Sequence, residues 1–171
     1  MKRQLTLLTV IFGLLGLASL GGCGQRPDTE SRPPASLGHH HEPPHGGTVV
    51  VLGQEEHHLE LVHHADEGRL QVFILDGHMD NFVRLKIPSF DLVVRTAGAE
   101  RTLKLEAVTT KSTGEKVGDT ALFEARVDWL KGLTHFEAEL PQLSIRGREY
   151  RAVTFPFPQG NTQPDDSAHR H

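Results

Sequence analysis

Between residues 47 and 158, apolar side chains return every second residue, and turn formers interrupt them about every ten. Leu103, Leu105 and Ala107 alternate with Thr102, Lys104 and Glu106. Phe123, Ala125 and Val127 alternate with Glu124, Arg126 and Asp128. A period of two puts one apolar face on a strand, whereas a helix needs a period near 3.6, which no long stretch here supplies. The strand-like runs are 48–52, 57–63, 70–76, 82–87, 90–96, 101–109, 121–129, 134–140 and 143–155. "IRGRE" around Gly147 carries a hairpin-turn signal. So many short strands in one small domain predict an all-β fold, an immunoglobulin-like two-sheet β-sandwich. With one cysteine, the Cys–Trp–Cys core of true immunoglobulin domains is absent, and only the architecture is expected.

The ends have a different character. Lys2 and Arg3 precede an apolar run from Leu5 to Leu20, too short for a comfortable membrane span and closed by small residues, as in a secretory signal. "LGGC", ending at Cys23, resembles a bacterial lipobox. The resemblance implies cleavage before Cys23 and lipidation of that residue. Two or more acyl chains give stable anchoring at about 0.8 kcal/mol per buried methylene. Gly24, rather than Asp, follows the cysteine and favours the periplasmic face of the outer membrane. The expected organisation is a lipoprotein signal peptide at 1–22, a lipid-anchored His/Pro-rich tether at 23–46, the β domain at 47–158 and a disordered polar tail at 159–171. No internal repeat is present.

Nine of the twelve histidines fall within forty residues: His39, His40, His41, His45, His57, His58, His63, His64 and His78. Carboxylates are interspersed among them, including Glu42, Glu60 and Asp76. Imidazole with carboxylate is the ligand set of divalent zinc, copper or nickel. Cys23, once lipidated, leaves no thiolate, and Met79 is the only methionine of the mature chain, so a soft copper(I) site is disfavoured. "HEPPH" (41–45) satisfies the H-E-x-x-H pattern of zinc proteases, but that motif needs a helix. Pro43 and Pro44 forbid one and impose a polyproline-like path. Such a path sets His41 and His45 roughly 12 Å apart, against about 6 Å on a helix.

On the strand at 57–64, Leu59 and Leu61 should face the core and His58, Glu60 and His64 should face outward. His57 and His63 should lie on the core side, with His63 able to reach the sheet edge. His78, in the turn "DGHMDN", could close over the same end. The histidines could also act as a pH-sensitive patch or be solvated surface residues.

The stretch "HGGTVVVLGQEEHHLELVHHADEGRLQVFILDG" (45–77) resembles an uncharacterised family of mostly planctomycete secreted lipoproteins. More loosely, it is similar to the N-terminal extension of some periplasmic heavy-metal efflux adaptor subunits. The resemblance implies metal handling and points to His45, Gly46, Gly47, His58, Glu60 and His63. The hairpin and barrel domains of the adaptors have no counterpart here, so it implies no direct pump contact.

These readings converge on a lipid-anchored periplasmic protein that binds divalent transition metal ions for buffering, delivery or resistance. Metal-efflux or other envelope proteins are its expected partners. The candidate ligands are His45, His58 and His63, with Glu60 and His78 as further ligands and His39, His40 and His41 as a capture arm. The alternative is a structural or protein-interaction lipoprotein with incidental histidines. No nucleophile constellation is present, and an enzyme is not expected. A formal net charge of −4 argues against nucleic acid as a partner.

Overall fold

The computed structural model describes residues 42–162. Eight strands form: β1 (Thr48–Leu52), β2 (His57–His64), β3 (Arg69–Asp76), β4 (Ser89–Thr96), β5 (Ala99–Ala107), β6 (Leu122–Arg126), β7 (Phe136–Ile145) and β8 (Arg148–Phe157). A 3-10 turn, Asp128–Leu130, follows β6. The protein is all-β, as the alternation predicts. The strands do not separate into two sheets, however. They make one antiparallel sheet in the order β1-β2-β3-β6-β5-β4-β7-β8, curled until it nearly closes as a barrel.

The alternating apolar residues become the interior. Leu59, Leu61, Leu70, Val72, Ile74, Leu92, Leu103, Leu105, Phe123 and Phe155 are all essentially inaccessible to solvent. The run at 82–87 does not become a strand. It makes two isolated bridges, Phe82 with Leu75 of β3 and Leu85 with Thr120 in the loop before β6. At Arg146 and Gly147 both residues have positive φ, 49° and 84°, as a tight two-residue hairpin turn requires.

Several contacts bring the two edges of the sheet together. The side-chain amide of Asn161 acts like a neighbouring strand: it accepts the N–H of Val51 at 2.7 Å and donates to the Val51 carbonyl at 3.0 Å. Thr48 Oγ1 donates to the Pro158 carbonyl at 2.9 Å. Gly160 lies against the Val49 carbonyl, where any side chain would clash. Residues 159–161, expected in the tail, are thus the closing piece of the sheet. At the other end, Glu56 pairs with Arg148, and His57 Nδ1 lies 2.8 Å from the Tyr150 hydroxyl.

Candidate functional site

Strand β2 carries three of the candidate ligands, His58, Glu60 and His63, on its two faces. Leu59, Leu61 and His63 point inward, while His58 and Glu60 point outward, as alternation requires. The outward face is covered, though. Residues 43–47 fold over it as a short strap, which begins with a turn closed by the Gly46 N–H and the Pro43 carbonyl at 3.0 Å.

Glu60 is the centre of this strap. Its side chain is 0% exposed, although it lies on the face predicted to meet solvent. Oε1 accepts the backbone N–H of His45 at 2.7 Å and that of Gly47 at 3.0 Å. Oε2 lies 2.8 Å from His45 Nδ1. A buried carboxylate is costly unless its lone pairs are filled, and here three donors fill them. With the carboxylate ionised, Nδ1 must carry the proton, which leaves Nε2 as the nitrogen able to bind a Lewis acid. Among the described residues Nε2 makes no hydrogen bond, and the His45 side chain is 38% exposed. The imidazole stacks on Phe73, with centroids 3.8 Å apart and planes 15° apart, and Phe82 tilts beside it at 5.8 Å.

The "HGG" of the sequence acquires a physical reason. His45 meets Glu60. Gly46 takes a φ of 67°, which glycine adopts without strain. Gly47 lies so close to β2 that a Cβ there would stand 2.6 Å from the Leu61 carbonyl oxygen and 2.8 Å from Glu60 Cγ. Only a glycine lets the strap approach closely enough for Glu60 to reach its N–H groups.

The other candidates are placed elsewhere. His58 is 4% exposed, and its Nδ1 lies 3.1 Å from the Asp76 carbonyl. His63 lies on the opposite face from Glu60, edge-on to Phe136 and Phe157 at 6.3 and 5.7 Å. Its Nε2 is buried without a hydrogen-bond partner among the described residues. Burial pushes its pKa below the ordinary value, and a backbone interaction with Leu130 only partly offsets this. Burial likewise lowers His57, and Arg146 adds to the effect. His78 is exposed in the turn after β3. There, burial disfavours the charged Asp76 carboxylate, but hydrogen bonds from Asn81, Asp80 and His78 outweigh that cost and hold its pKa below the usual value.

The structure does not bring the candidate ligands His58, Glu60 and His63 to one point. The two faces of β2 separate His63 from Glu60, and the oxygens of Glu60 are consumed by the strap. Among the described residues no three His, Asp or Glu side chains form a metal-binding group. His39, His40, His41 and Cys23 lie outside the described residues. Compared with known proteins, the chain matches no family model, and neither a curated protein nor a solved structure is significantly similar to it.

The sequence reading missed the roles of Phe73 and Gly47. Phe73 sits at an outward position of β3, opposite Glu60 in the register, and a large apolar residue on an outward face signals that something covers it.

Proposed function

We propose that this chain is a lipid-anchored envelope protein that binds a divalent transition metal ion, with His45 as one ligand and His39, His40 and His41 supplying the rest of the ligand set. The observation that carries this reading is the Glu60–His45 pair. A buried carboxylate holding Nδ1 and leaving Nε2 open is the arrangement that orients metal-binding histidines, and removal of such a partner weakens metal affinity about 10–100-fold. Three histidines stand four to six positions before His45 in a proline-bounded segment, close enough along the chain to complete a site. The resemblance of residues 45–77 to lipoproteins and efflux-adaptor extensions points the same way. In this reading Glu60 positions a ligand and is not one itself. The ion would serve buffering, delivery or resistance at the periplasmic face of the outer membrane.

A second reading is favoured by the same contacts. The Glu60 hydrogen bonds also fasten the strap, so His45 could be wholly structural in a protein-interaction lipoprotein. Calorimetric titration of zinc, copper(II) and nickel into the soluble chain from Gln25 separates the two. Metal handling predicts stoichiometric, submicromolar binding that is lost in His45→Ala, weakened about 10–100-fold in Glu60→Gln and unchanged in His58→Ala. Glu60→Gln is informative because an amide can still accept the backbone N–H groups while changing what it offers to Nδ1. Weak binding that is indifferent to His45→Ala would leave the structural reading.

A further inference from the structure

The sheet has a seam between β4 and β7. These strands pair over only three positions, Val93 with Glu139, Val94 with Ala138 and Arg95 with Glu137. Antiparallel strands exchange hydrogen bonds at every second pair, so the next exchange would join Asp91 to residue 141. Residue 141 is a proline and has no N–H to give. Opposite it on β8, Ala152 has a φ of 50°, an irregularity between the paired positions Leu140–Val153 and Gln142–Arg151. Beyond this point β7 leaves β4 while its hairpin with β8 continues and carries Tyr150 to His57.

The result is a furrow of about 350 Å³ lined by Ile87, Ser89, Asp91, Pro141, Gln142 and Leu143. Along it, the β7-facing backbone groups of Ser89 and Asp91 have no backbone partner among the described residues. Asp91 is exposed and is the one charged residue of the lining, and among the described residues its carboxylate has neither a hydrogen bond nor an ion pair.

We propose that this furrow takes an extended, basic peptide segment of another protein, which adds as a strand to the free edge of β4 and sets a Lys or Arg against Asp91. A free strand edge recognises an extended backbone, and the side-chain pockets along it select the sequence. The carboxylate selects the occupant. Two copies of this chain joining edge to edge about Asp91 would oppose like charges, which is unfavourable across strands. A basic segment meets the opposite charge. This inference does not depend on the metal reading, since the furrow and the strap share no residue.

The probe is an acetylated and amidated Val-Lys-Val-Lys-Val-Lys peptide titrated into the chain from Gln25, with backbone amide shifts as the readout. The expected result is saturable binding with shifts centred on residues 89–92. Asp91→Asn, an exposed substitution, should weaken binding about threefold through loss of the ion pair. Methylating alternate peptide nitrogens should weaken it about tenfold through loss of backbone donors. The Lys-to-Glu peptide should not bind. Absence of saturation, shifts centred elsewhere, or equal binding by the methylated peptide would overturn the proposal.

Discussion

Glu60 and His63 are three residues apart on one strand, and both hold polar atoms away from solvent, yet the fold treats them oppositely. Glu60 faces outward under the strap and has three donors. His63 faces inward between Phe136 and Phe157, with a nitrogen that has no partner among the described residues. A buried polar group that is fully satisfied reflects a constructed site, whereas an unsatisfied one is tolerated by packing that surrounds it. The difference separates the described histidines of the cluster by environment. One is aimed by a carboxylate. Others, such as His57 and His63, fill space at the margins of the core.

The sharpest way to break this comparison is to remove Glu60. Glu60→Ala leaves two backbone N–H groups and His45 Nδ1 without an acceptor, and should cost about 3 kcal/mol in urea unfolding. A loss below about 0.5 kcal/mol would mean that solvent replaces the carboxylate and that the strap is not fixed.

Gly47→Ala tests the same strap by sterics. A methyl group 2.6 Å from the Leu61 carbonyl must push the strap off β2, at about 2 kcal/mol, with loss of the His45–Phe73 stacking. Aromatic chemical shifts of Phe73 report it.

Acidification separates the inner histidines from the outer site. Burial lowers the folded-state pKa of both His57 and His63 below 6.5. The unfolded chain then binds protons more readily than the folded one, so stability is full above pH 6.5 and falls as pH drops from there through the lowered values. His63→Leu removes a buried unpaired nitrogen. It should change stability at pH 7.5 by less than about 1 kcal/mol, and should flatten the decline between neutral and mildly acidic pH. Thermal melts across that range check both.

A comparably small effect is expected at the closure of the sheet. Asn161→Ala deletes two hydrogen bonds to Val51 at an exposed edge and should cost about 1 kcal/mol, read as faster hydrogen exchange at Val51.

The strands were legible because period-two alternation is a local property, and Leu59, Leu61, Leu103 and Phe123 all face the interior as their positions require. How the strands pair was not legible. Whether eight strands split into two sheets or curl into one depends on long-range events such as the Asn161 clasp, which joins residues 110 positions apart. The same holds for the site. The facing of β2 follows from its pattern, but burial of Glu60 depends on a strap whose composition, "HEPPHGG", reads as linker. Pro43 and Pro44 excluded a helix correctly; the two glycines that follow carried the information about docking. Gly46 and Gly47 specify a turn and a close approach, and neither leaves a periodic signal.

The central claim is that the carboxylate of Glu60 holds His45 with Nδ1 protonated and Nε2 open to an ion. Long-range proton–nitrogen correlation spectra of the imidazoles, recorded with and without one equivalent of zinc, test it most directly. The account predicts that His45 has a protonated Nδ1 and an unprotonated Nε2 near pH 7.5, and that zinc moves the His45 Nε2 resonance while leaving His57 and His63 in place. A His45 protonated on Nε2, or spectra in which zinc leaves His45 unmoved, would contradict it.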